Sequence, residues 1–264
     1  MATRTADKLE KKLVVVVGGT SGLGFAVAQA AVDRKANVVV ASSKQASVDD
    51  ALSRLQAGLA SDDDVARVRG LTLDLAAANV EEQIVALYDF ASKNGQQKID
   101  HIAVTAGDSL YPKALDQVKA EDFINASQVR VIGALLLAKH AAKYLAKSAA
   151  SSFTLTSGVR DVRPAANFAP VAPVSAAVKS LAKTLAHDLA PIRVNSISPG
   201  AVRTEFFTKI AGEHADAVLQ GLAEQTLTKS NGVAEDIAEI YLVVMTSAYI
   251  DGADLVADGG SLIA

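Results

Sequence analysis

The 264 residues carry 26 Lys and Arg against 29 Asp and Glu, so a formal net charge of -3 leaves no basic excess to release counterions from a nucleic acid. Hydrophobic residues make up 50% of the chain, enough for one sizeable core. With no cysteine there is no disulfide, thiolate nucleophile or cysteine-ligated metal, and His101, His140, His187 and His214 lack metal-ligand spacing.

The opening MATRTADKLEKK is polar and charged, unlike a secretory leader or a membrane span, which points to a soluble cytoplasmic protein. KLVVVVGG, from Lys12 to Gly19, is a β-branched run that ends in glycine, the pattern of a parallel strand buried on both faces. A helix over GLGFAVAQAAVDRKA precedes a second valine strand, NVVVASS. The alternation continues through the helix VDDALSRLQAGLA, the strand segment DVARVRGLTLDL, the helix NVEEQIVALYDFASKNG and the strand IDHIAVTAG. One long helix, KAEDFINASQVRVIGALLLAKHAAKYLAKS, leads to the strand SFTLTS. The helix within NFAPVAPVSAAVKSLAKTLAHDLAP is followed by the strands IRVNSISPG and GADLVADGG. Only Val202 to Gly232 departs from the rhythm, reading as an insertion over the ligand-binding edge. The expected fold is α/β: a Rossmann-type, doubly wound parallel sheet of about seven strands in one domain over residues 1–264.

The loop GGTSGLG after the first strand places Gly18, Gly22 and Gly24 in G-x-x-x-G-x-G spacing, with Thr20, Ser21 and Leu23 between them. Glycine permits the tight turn, and the following helix N-terminus favours negative charge, so a dinucleotide pyrophosphate is expected there. At the end of the second strand, Ser42, Ser43 and Lys44 offer donors and one cation with no carboxylate to oppose a 2'-phosphate. NADP(H) is therefore the expected cofactor.

These features resemble the short-chain dehydrogenase/reductase family over nearly the whole chain. GGTSGLG resembles its TGxxxGxG loop, LDL at Leu73 to Leu75 its adenine-side pair, and TAG at Thr105 to Gly107 its NAG turn. TLTSG places Ser157 at the family's catalytic serine, and IRVNSISPGAVRT resembles the strand and turn that cover the nicotinamide. The resemblance implies adenine contacts from Asp74 and Leu75, and ribose contacts from Ala106 and Gly107. It puts Pro199, Gly200 and Val202 beside the nicotinamide and Thr204 near the phosphates. It also implies a homodimer or homotetramer paired through the helices that carry ALLLAKHAAKYLA and AAVKSLAKTLAHDLA.

The family's remaining catalytic residues are absent: the alignment places Val171 at its tyrosine, Ser175 at its lysine and Arg130 at its asparagine. A narrower resemblance links VRVIGALLLAKHAAKYL and SGVRDVRPAANFAPVA to fungal NADPH-dependent reductase/Diels-Alderase enzymes of the malbrancheamide and paraherquamide pathways. Their Pro-Asp-Pro-Asn-Trp loop reads Pro164, Ala165, Ala166, Asn167, Phe168 here, and nearby Asp161 is the substitute carboxylate in sequence. A site with its cofactor loop but without its acid suits an iminium or conjugated carbonyl, with Ser157 and Arg130 holding the small-molecule substrate. An ordinary carbonyl reductase with another proton source and a non-redox cyclase or nucleotide-binding protein remain as alternatives.

Overall fold

The structure is a computed structural model that describes residues 8–107, 112–205, 207–208 and 212–264. Its centre is a seven-stranded parallel sheet of β1 (Leu13–Val17), β2 (Asn37–Ser42), β3 (Val68–Thr72), β4 (His101–Val104), β5 (Ser152–Thr156), β6 (Arg193–Pro199) and β9 (Asp254–Ala257). The spatial order is β3-β2-β1-β4-β5-β6-β9. Valine-rich β1 is buried throughout, and its Val15 is in register with Val39 of β2 and Ile102 of β4. Because side chains alternate across a strand, Leu13, Val15 and Val17 face one layer of helices while Val14 and Val16 face the other.

The first layer is α4 (Val80–Ser92), α6 (Ala134–Tyr144) and α7 (Ala172–Asp188), which contribute Ile84, Leu137 and Val178 to a shared core. Tyr88 lies fully buried there, and its hydroxyl donates to the Leu137 carbonyl at 3.1 Å. The second layer holds α1 (Gly22–Asp33), α2 (Gln45–Gln56) and α9 (Ala234–Thr246), with Val27, Leu55 and Tyr241 packed inward. Each fully buried valine or leucine contributes about 2 kcal/mol by leaving water. Outside the layers lie α3 (Asp62–Ala66), α5 (Ala120–Ser127), α8 (Ala215–Glu224) and a short pair of strands, β7 (Val202–Arg203) and β8 (Gly232–Val233).

Three details differ from the sequence expectation. The segment read as one strand over DVARVRGLTLDL starts as α3, where three consecutive aspartates favour a helix N-terminus capped by Ser61. The long helix read through Ser148 is interrupted by a π-helical turn over Gln128–Gly133, then ends at Tyr144. The unassigned stretch after Gly232 forms α9, whose Ile237, Ala238, Tyr241, Leu242 and Met245 make one buried face. His101 is a satisfied core residue: its Nδ1 lies 2.9 Å from the Ser152 hydroxyl, and burial pushes its pKa down to about 3.

Candidate cofactor and substrate cleft

A cleft of about 610 Å³ runs along the C-terminal ends of β1, β2, β4, β5 and β6. Its middle is the crevice between β1 and β4, where strand order reverses and open α/β sheets bind their ligands. The glycine loop forms one wall. Gly18 has φ of 87°, and a Cβ there would stand 2.4 Å from the Ala106 nitrogen. At Gly24 a Cβ would meet the Gly18 carbonyl oxygen at 2.1 Å, so loop and helix approach backbone to backbone.

Ser21 precedes α1 without a side-chain cap hydrogen bond, and the Gly22 N–H donates to Glu205 Oε2 at 3.1 Å. A carboxylate thus occupies the helix N-terminus as a stand-in for a phosphate oxygen. The loop meets both physical requirements for a pyrophosphate, space and an amide that attracts an anion. Thr20, Ser21, Leu23 and the three glycines all line the cleft. Ser42 and Ser43 line it at the end of β2, while exposed Lys44 stands outside the lining as the N-cap of α2. Asp74, Leu75, Ala106 and Gly107 lie along the adjoining walls, as do Pro199, Gly200, Val202 and Thr204.

Because Glu205 holds the anion seat, Glu205→Gln is expected to tighten NADPH by about two- to five-fold, the usual scale of one charge at a helix terminus. Fluorescence titration at low salt measures the change. An unchanged or weaker affinity would show that the carboxylate offers no opposition.

At the other end, Val171 precedes α7 and is buried against Ala126, Val174 and Phe168, while Ser175 faces the cleft one turn on. The Ser157 hydroxyl donates to the Ser175 carbonyl at 2.9 Å, so its proton is already engaged. Arg130 enters from the π-helical turn and packs on Gly107, where a Cβ would lie 2.2 Å from the guanidinium carbon. Its charge reaches Tyr241, although burial dominates and raises that phenol. Among the described residues no tyrosine, lysine or histidine lines the cleft.

The structure does not bring Asp161 into this constellation. Its carboxylate accepts from Lys179 Nζ at 2.8 Å, and the same ammonium lies 3.4 Å from Asp254, turning Asp161 away from the cleft. Its neighbours Arg160 and Arg163 face inward instead, joined by Leu222, Gln225, Thr226 and Ser261. The sequence reading assigned none of these six a role, although Arg160 and Arg163 lie within SGVRDVRPAANFAPVA. The expected insertion does reach the site, through Leu222 and Gln225 at the end of α8.

The SDR-like Rossmann domain profile matches residues 5–264. The chain belongs to the short-chain dehydrogenase/reductase family. Among its relatives is the short-chain dehydrogenase/reductase MalC of Malbranchea aurantiaca, 34% identical with 98% of both chains covered. A second, from Stachybotrys chlorohalonatus, is 31% identical over 95% of this chain and 96% of its own. The solved structure of the Malbranchea aurantiaca MalC reductase/Diels-Alderase superposes with a TM-score of 0.92 at 34% identity, covering 99% of this chain and 100% of that one. A small-chain dehydrogenase solved in complex with NADPH is 30% identical with a TM-score of 0.72, covering 97% and 100%. This short-chain dehydrogenase/reductase keeps the family's sheet, with the glycine loop on one wall of the cleft and Val171 and Val174 at its other end. No helix among the described residues is long and apolar enough to cross a membrane.

Proposed function

We propose that this short-chain dehydrogenase/reductase is an NADPH-dependent reductase of an activated electrophile, an iminium or a conjugated carbonyl. The observation that carries this reading is the pairing of an intact phosphate loop with valine at the acid position. NADPH, when bound, supplies a hydride. Gly18, Gly22 and Gly24 would leave room for the pyrophosphate, and the Gly22 N–H, which here donates to Glu205, would donate to it. Ser42 and Ser43 would donate to the 2'-phosphate, with Lys44 adding charge from outside the cleft lining.

Val171 and Val174 exclude water from the substrate's reacting carbon, and Arg130 holds its oxygen through a fixed fork of N–H donors. Ser157, committed to the Ser175 carbonyl, presents a lone pair and keeps its proton. A reduced ketone is an alkoxide that requires a proton at once, whereas a reduced iminium is a neutral amine. A conjugated carbonyl reduced at its β-carbon becomes an enolate, whose oxygen charge a guanidinium stabilises without giving up a proton. With Arg130, Arg160 and Arg163 in the cleft and Asp161 turned away, the charge pattern favours the carbonyl over the cation.

Exposed Phe123, Ile124, Ile132 and Leu135, on and near α5 and α6, support a homodimer or homotetramer in the manner of the family. The cofactor assignment is checked by titrating NADPH and NADH in parallel. NADPH is expected to bind about ten-fold or more tightly, the scale of one or two charge-assisted hydrogen bonds. Equal affinities remove the 2'-phosphate assignment.

A further inference from the structure

Arg160 and Arg163 stand at the substrate end of the cleft on the loop between β5 and α7, and the family chemistry gives neither a task. Arg163 is fixed by neutral groups: it donates to the Ser261 carbonyl, and through its other terminal nitrogen to Gln225 Oε1 at 3.3 Å. Arg160 rests its guanidinium over the Phe168 ring, 5.2 Å from the centroid, and among the described residues donates no hydrogen bond to the protein. Neither forms an ion pair within the described residues, although Asp161 lies between them in sequence; that carboxylate belongs to Lys179. Among the described residues the only carboxylates lining the cleft are Asp74 and Glu205, which sit at the adenine-side motif and beside the phosphate loop.

Two guanidiniums held close together, with no ion-pair partner among the described residues, are electrostatically incomplete there. Burial, and then the charge of Arg163, push Arg160 below the ordinary arginine range. A buried or half-buried cation is normally paired, and an anionic ligand in the cleft would supply that partner. The five N–H groups of Arg160 and those left over on Arg163 suit a carboxylate, which accepts two parallel hydrogen bonds from a guanidinium. Phe168 fixes the plane of Arg160, so the fork is oriented before the ligand arrives.

We propose that Arg160 and Arg163 form a substrate-carboxylate anchor, making the natural substrate an organic acid whose reducible group lies toward Arg130 and Ser157. This rests on the reductase reading for the identity of the ligand as substrate; the anchor itself is a property of the chain and is tested by binding. The probes are a set of aromatic and aliphatic carboxylates, among them 2-naphthoate and trans-cinnamate, each paired with its primary amide. Calorimetry is run on the full chain, with and without saturating NADP+. Carboxylates are expected to bind at least about ten-fold more tightly than their amides, and this preference is expected to fall to two-fold or less in Arg160→Gln.

Arg160→Gln loses only the ring contact among its described interactions. Arg163→Lys retains one donor toward Ser261 and serves as a second variant, expected to lower the preference because a point charge lacks the fork. A set with no preference for the carboxylates overturns the anchor, as does a preference that survives both variants. Loss of NADP+ affinity in Arg160→Gln with the carboxylate preference intact also overturns it, by assigning the charge to the cofactor. If NADP+ fails to bind wild type while the carboxylate preference is present and arginine-dependent, the reductase reading falls and the anchor stands.

Discussion

Wild-type protein is expected to reduce an unactivated ketone at least about 100-fold more slowly than a conjugated carbonyl of similar size, the contribution of one positioned acid. The reason is proton demand. The sequence resemblance puts Val171, buried beside Phe168 and Val174, at the family's tyrosine, and Ser175 at the lysine that would depress that tyrosine's pKa. Ser157 donates its proton to the Ser175 carbonyl. Rotating that hydroxyl toward a substrate yields a hydrogen bond but not an acid strong enough to neutralise an alkoxide near neutral pH. A conjugated substrate avoids the difficulty because its enolate waits for a proton from water.

NADPH consumption with paired saturated and unsaturated ketones measures the ratio. The double variant Val171→Tyr with Ser175→Lys is expected to raise the saturated ketone's rate selectively. Pro170 and Pro173 fix the start of α7, and Val171 is packed on Ala126, so the larger phenol has to enter the cleft rather than the core. A wild-type turnover number of about 10 per second on the saturated ketone would falsify the emptied-helix reading.

The same comparison shows which features a sequence can announce. β1 and β2 were legible because four consecutive valines ahead of a glycine pair, or a valine triplet, leave few alternatives to a strand covered on both faces. The glycine loop was legible because backbone clearance is written in the residue itself: Gly24 has no substitute at 2.1 Å from a carbonyl oxygen. Helix α9 also carries a signal in the sequence, an apolar face from Ile237 to Met245.

The arginines at the substrate end are another matter. Arg163 is oriented by Ser261 and Gln225, which lie 98 and 62 positions away, and no local pattern encodes such a meeting. Asp161 shows the converse: its nearness to the 164–168 loop suggested a substitute carboxylate, but it pairs with Lys179 and does not line the cleft. Periodicity reports the face of a helix or strand, whereas in an irregular loop the direction of each side chain is set by tertiary contacts.

Arg130→Ala is expected to lower kcat/KM by about 100-fold or more while NADPH affinity stays within a few-fold, the scale of losing one oriented donor to a developing oxyanion. The π-helical turn over Gln128–Gly133 interrupts what would otherwise be a continuous helix and carries Arg130 into the cleft. Gly107 completes the arrangement, since any side chain there would collide with the guanidinium carbon at 2.2 Å. Gly107→Ala should therefore displace the fork and reproduce much of the Arg130→Ala defect, although the arginine is still present. Arg130→Lys is expected to recover little, because an ammonium keeps the charge but loses the planar pair of donors. Steady-state kinetics with a conjugated ketone, alongside cofactor titration of each variant, separates substrate from cofactor effects. If Arg130→Ala keeps more than about a third of wild-type kcat/KM, or if cofactor affinity falls in step with turnover, the fork does not hold the substrate oxygen and the charge serves the fold or the cofactor instead.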